Sequence, residues 1–400
     1  MRPAFNLLFL TAMLFFSGCH ETRRAPEALY YFPNRDTTMV GVVNGKGDTI
    51  IPAVHPYFRY DPSRTIAMQK AGRVFYRTDT ALIPYGEPYS FEMPILSDLL
   101  LFPGLSAPVA TSQEPAGEVY NREGRFCYYT PGYIRYEEEG YRFFAPDADF
   151  QEGFARYIEN GKTGFVDISG NKRLPARWDF AEMFHYGYAK VYGGGWRREL
   201  AVGNISYIPL SDTAYSWYIT LNGTRVIPHT KANSPNDYYI GNGLYLPHAF
   251  AYTPHEQHLV DSLNRLRGLR YTSLSDVYRT ANAGDTLQFE ITDRPRPGFP
   301  YYFMQGYNVF QVSFNPGHYA SGNVQVFLVH KDTGEVYYFQ DASFMMQRKK
   351  IPLAQWMVAS LGQTLEWLKG NHPDSGLLKQ VATAKSFWET QARQQETTLP

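Results

Sequence analysis

The chain of 400 residues sets 38 Lys+Arg against 38 Asp+Glu, a formal net charge of +0. That balance excludes the basic stripe a nucleic-acid partner would need and a polybasic patch for anionic lipid. With 32 Tyr, 27 Phe and only 19% charged residues, the composition favours half-buried pleated surfaces, so the fold class expected is mainly β.

The first element in chain order is an export signal. Arg2 supplies a basic start, Leu7 to Phe16 an apolar core, and Ser17-Gly18 the small residues before Cys19. The apolar run is shorter than the roughly 20 residues a membrane-spanning helix requires. The segment resembles a lipoprotein signal peptide, which implies that residues 1–18 are removed and that Cys19 becomes the lipid-carrying first residue, followed by a tether over 19–37. His20 in place of Asp after the cysteine implies, by the same resemblance, the outer membrane facing the periplasm. With Cys19 acylated, Cys127 has no partner for a disulfide and reads as a small packed residue.

Residues 38–230 repeat a short pattern of apolar pair, turn and apolar-Pro. The copies are Gly41 to Pro52, Val74 to Pro84, Gly164 to Pro175 and Tyr218 to Pro228. Each predicts a β-hairpin that turns at Gly47, Asp79, Gly170 or Gly223 and ends at proline, which donates nothing to a continuing ladder. Arg125 to Phe144 is expected to hold a further, eroded unit. A second element, Phe150-Gln151-Glu152-Gly153-Phe154-Ala155, recurs as Phe184-His185-Tyr186-Gly187-Tyr188-Ala189, 34 residues on. Together, Phe150 to Val191 resembles the WG repeat family, although Thr163-Gly164 stands where that family has its Trp-Gly. The resemblance implies stacked β-hairpins that display a binding surface.

Residues 231–254, rich in Pro and Gly, read as a connector. Residues 255–400 form a smaller α+β domain with C-terminal helices. A helix capped near Thr253-Pro254 opens it. Strands follow over Thr286 to Thr292, Tyr301 to Phe314, Asn323 to His330 and Glu335 to Gln340, then helices from about Leu353 and Gly376.

Sites for chemistry are sparse. His255-Glu256-Gln257-His258, with His248 upstream, lacks the four-residue histidine spacing of a zincin. Gly193-Gly194-Gly195-Trp196 lacks the Lys-Ser/Thr of a phosphate loop, and Glu137-Glu138-Glu139 lacks the alternating oxygen ligands of a calcium loop. No catalytic residue, metal site or cofactor is therefore expected. Trp178, Trp196, Tyr207 and Trp217 are weighed as a ring platform for sugar or a protein strand, against filling the hairpin core. The expectation is a non-enzymatic cell-envelope lipoprotein, on the membrane through its N-terminal lipid, binding an envelope protein or glycan through its repeats. The alternatives are an accessory or immunity-type lipoprotein acting through its C-terminal domain, and a glycan-active enzyme.

Overall fold

The computed structural model describes residues 27–36, 39–56, 76–77, 80–84, 95, 98–103, 117–138, 141–146, 150–201, 204–234, 236–272, 286–309, 325–342, 347–371 and 376–397. Cys19 and the signal segment lie outside the described residues, as does Asp79.

All four pattern copies are antiparallel pairs. They join Met39–Asn44 to Thr49–Pro56, Tyr76–Arg77 to Thr80–Pro84, Lys162–Asp167 to Lys172–Trp178, and Tyr215–Thr220 to Arg225–Val226. Three of the turns share one geometry. Gly47, Gly170 and Gly223 have φ of +91°, +82° and +82°, and each donates its N–H to the carbonyl three residues back, in Asn44, Asp167 and Thr220. This is a type I turn closed by a left-handed glycine, the three-residue hairpin loop with a bulge. In the Gly47 and Gly170 turns one oxygen of the leading side chain holds two N–H groups of the loop as well. Asn44 Oδ1 accepts from the N–H of Lys46 and Asp48, and Asp167 Oδ1 from those of Ser169 and Asn171.

The same turn occurs a fourth time, in a hairpin that lacks the closing apolar-Pro. Gly124, at φ +76°, donates to the Asn121 carbonyl, and Asn121 Oδ1 accepts from Glu123 and Arg125. It joins Gly117–Asn121 to Phe126–Thr130. The expected unit over Arg125 to Phe144 is therefore divided between two sheets. Phe126–Thr130 pairs upstream, while Gly132–Glu138 pairs with Tyr141–Pro146, which in turn lies parallel to Thr80–Pro84.

A proline in the closing strand explains why glycine opens the pattern. A Cβ on Gly164 would stand 2.6 Å from the backbone of both Ala176 and Leu174, and one on Gly41 2.4 Å from the Ile51 carbonyl. The strand around Pro175 or Pro52 bulges onto its neighbour at that point, where the register shifts. In the Asn121 hairpin, Tyr129 replaces the proline and Glu118 the glycine. In the fourth copy Trp217 stands at the glycine position, and the closing strand stops at Val226, before Pro228.

Layers stack from these hairpins. A six-stranded sheet runs in the order Lys172–Trp178, Lys162–Asp167, Phe154–Glu159, Phe126–Thr130, Gly117–Asn121, Leu99–Pro103. At one end Leu100 and Phe102 pack on Val40, Val42 and Ile51 of the N-terminal three-stranded sheet. At the other, Phe154, Phe165 and Trp178 pack on Phe184, Val191 and Ile219 of the sheet built from Phe180–Ala181, Tyr188–Gly193, Tyr215–Thr220 and Arg225–Val226. Both contacts use one face of the sheet, and alternation sends Leu99, Leu101, Val119, Tyr128, Ala155 and Val166 to the other face, where they form a cluster of their own.

The C-terminal part is a five-stranded antiparallel meander: Thr286–Asp293, Tyr301–Val309, Val326–His330, Val336–Ala342 and Gln347–Pro352. Helices α1 (Pro254–Asn264), α2 (Leu353–Asn371) and α3 (Gly376–Thr397) cover one face, where Phe289, Ile291, Met304 and Phe327 meet Leu263, Trp356, Leu361 and Trp388. The other face meets the repeats: Phe303, Leu328 and Phe339 surround Ile168, which projects from the third hairpin's turn. Residues 310–324, the end of the predicted strand from Tyr301 and the start of the next, lie outside the described residues. The segment read as a connector carries its own hairpin, Tyr238–Gly241 with Leu244–Leu246.

Candidate functional site

Most residues singled out in the sequence have structural duties. Glu256 closes a capping box with Thr253 at the start of α1, and Arg294 Nε donates to its Oε1 at 2.6 Å. Burial opposes ionisation of Glu256, yet Arg294 and Thr253 together hold its carboxyl below the usual range. His255 and His258 flank that glutamate on the first turn of the helix. Among the described residues no group of three His, Cys, Asp or Glu side chains could hold a metal ion. Within the glycine run, Gly193 ends a strand and Gly194-Gly195 make a bend gripped by buried Asp179, whose Oδ2 accepts from the N–H of Gly195 and Trp196 at 2.8 and 3.0 Å while Oδ1 meets Lys162. Burial pushes the thiol of half-buried Cys127 up, away from the reactive thiolate. The side chains of Glu137 to Glu139 lie outside the described residues.

The weighed ring platform resolves into packing. Trp178 is 1% exposed. Tyr207 stacks on Tyr192 at 4.3 Å, Trp196 donates its Nε1–H to the Tyr215 carbonyl, and Trp217 is stacked by Tyr215 at 3.8 Å with the Arg225 guanidinium over its ring.

Where the repeats meet the C-terminal sheet, two carboxylates that no motif in the sequence marks, Glu152 and Glu290, are buried. Glu152 and Tyr186 occupy corresponding places in the two recurring turns, at φ +55° and +52°, each followed by a left-handed glycine. Glu152 Oε2 accepts the N–H of Gly187 at 2.8 Å, so one turn clasps the next, and Tyr307 of the C-terminal sheet donates its hydroxyl to Oε1. Burial pushes this carboxyl up to about 7, against the lowering effect of the Tyr307 and backbone hydrogen bonds. Glu290 alternates with Phe289 and Ile291 and so faces the repeats; Tyr252 donates to its Oε2, Gln288 to its Oε1, and His248 Nε2 lies 3.5 Å away. Nearby, Arg296 and Arg173 bridge Asp167 of the third turn to Asp293 of the sheet.

Above this junction opens a groove of 410 Å³, floored by Tyr188–Gly193 and Tyr215–Thr220 and walled by the hairpin at Tyr238. Tyr188, Tyr218, Tyr238 and Tyr239 line it with Glu182, His185, Lys190 and Asn242. Tyr188 is fixed by donating to the Pro247 carbonyl at 2.6 Å, and Glu182 Oε1 accepts from Tyr192 at 2.7 Å. Among the described residues, the Lys190 ammonium, the Tyr218 hydroxyl, the Asn242 amide and Glu182 Oε2 have no hydrogen-bond or ion-pair partner. The Tyr238-Tyr239 doublet between Pro235 and Gly241 was the available sequence signal for this wall.

The family model described as WG containing repeat matches residues 164–193. The match opens at the crowded Gly164, includes the Gly170 turn and the Tyr186-Gly187 turn, and ends at Gly193; Glu182, His185, Tyr188 and Lys190 of the groove lie within it. No curated protein and no solved structure matches the chain.

Proposed function

We propose that the protein is a non-enzymatic cell-envelope lipoprotein, held to the outer membrane through a lipid on Cys19, whose WG-repeat body binds an envelope ligand in the tyrosine groove. The observation that carries the binding reading is the groove itself. Its volume lies within the range of ligand pockets, about 300–1,000 Å³, and its polar heads converge beside tyrosine rings without partners among the described residues. The buried carboxylates beneath it are engaged by tyrosine hydroxyls and backbone N–H groups, which favours a structural role over acid–base work.

Two measurements on the protein in its own cells test this reading. Cys19→Ser is expected to leave an unprocessed or soluble form; processed protein that still partitions into detergent would sink the anchor. A benzophenone side chain installed at Tyr239 is expected to give one discrete adduct on illumination. Absence of any adduct there, with the protein correctly anchored, would sink the binding role of the groove.

A further inference from the structure

We infer that the groove takes a short neutral saccharide, an inference that rests on the binding reading above. Its polar lining is mixed in a way that restricts the ligand. Glu182 Oε2 only accepts, the Lys190 ammonium only donates, and the Tyr218 hydroxyl and Asn242 amide do both. A ligand that satisfies all four within 410 Å³ must offer donors and acceptors side by side. Hydroxyl groups do this with no net charge.

Charge points the same way. Glu182 and Lys190 are one anion and one cation on facing positions of the same paired segment, where the Glu182 N–H donates to the Lys190 carbonyl. A charged ligand would leave one of them opposed by a like charge. The apolar part of the lining is tyrosine: an aromatic face suits the C–H face of a sugar ring while its hydroxyl stays hydrogen-bonded. Lys190 Nζ lies 5.3 and 6.0 Å from the ring centroids of Tyr192 and Tyr218, which keeps the ammonium near the floor of the groove.

A peptide fits less well. Extended peptides gain affinity by adding to an open strand edge. The two floor strands pair with each other, and their outer partners are Phe180–Ala181 and Arg225–Val226, so no ladder between them is open.

The test is calorimetric titration of the detergent-solubilised, full-length protein with maltotriose, cellotriose and chitotriose. At least one is expected to bind, with affinity falling tenfold or more in Tyr218→Ala and in Asn242→Gly. The second variant keeps the fold, because Asn242 sits at φ +52°, which glycine adopts freely. Failure of all three sugars, or binding unchanged in both variants, overturns the saccharide assignment. If the sugars fail while the benzophenone at position 239 still captures a polypeptide, only the ligand class is wrong; if both fail, the binding reading falls as well.

Discussion

Glu152 shows how one residue ties three segments together. Its side chain is 1% exposed, on a turn that requires a positive φ, with one oxygen on the next turn and the other on the C-terminal sheet. Because burial raises its folded-state value to about 7, the folded protein holds this proton more tightly than the unfolded chain. The stabilisation is present below the ordinary glutamate value and is lost as pH rises through about 7. The loss amounts to roughly 3 kcal/mol for about two and a half pH units. Asp179 and Glu256, whose carboxyls are lowered, act in the opposite sense and only at more acid pH, whereas His55, held below the usual imidazole range by burial, opposes it within the same window. The Glu152 contribution is therefore expected to lower the melting temperature between pH 5 and pH 8. Glu152→Gln, which stays neutral, keeps its carbonyl oxygen on the Gly187 N–H and turns its amide to donate to the Tyr307 hydroxyl, is expected to remove that downward part of the pH slope, and an unaltered slope in the variant would remove Glu152 as its source. Gly164→Ala is a second residue-scale case. The added methyl meets the Tyr157 ring and two backbone atoms inside 3.0 Å, so the expected cost is about 1–3 kcal/mol in denaturant titration. A midpoint equal to wild type would contradict the crowding.

The hairpin turn is the element the sequence announced most clearly. Its geometry depends on local chemistry: a side-chain oxygen at the first position and glycine three residues later. Gly170→Val forces a β-branched residue to φ +82°, with Leu99 Cδ2 already 3.1 Å from the new Cβ. A loss of more than roughly 1 kcal/mol is expected by thermal melting, and an unchanged curve would exclude the left-handed turn. The Asn121 turn is hidden in the sequence because Tyr128-Tyr129 stands where the other copies have the closing apolar-Pro. Proline marks strands that press on a glycine, whereas the turn itself needs only Asn121 and Gly124. The groove was less legible still. Lys190 and Tyr218 face each other through strand pairing, and Tyr239 arrives from a hairpin hidden in a Pro- and Gly-rich segment. No periodicity along the chain records which aromatic residues pack and which are left over.

At the scale of the whole molecule, the C-terminal meander is a sheet with two covered faces. Helices α1 to α3 cover one, and the third hairpin with its neighbours covers the other. Ile168 supplies the apolar contact, the Asp167–Arg296 and Arg173–Asp293 pairs surround it, and Glu152 and Tyr307 complete it beneath the groove. Residue-by-residue alternation predicted that strands exist in both halves, but not that they face each other, because that contact joins positions more than 100 residues apart. Repeats and C-terminal sheet thus form one body whose junction supports the groove. Scanning calorimetry of the full-length protein and of Tyr307→Phe, which removes the hydroxyl on Glu152, tests it most directly. A single cooperative transition is expected, and in the variant it moves as a whole to lower temperature. Two separate transitions, with only the one belonging to the C-terminal sheet displaced, would contradict it.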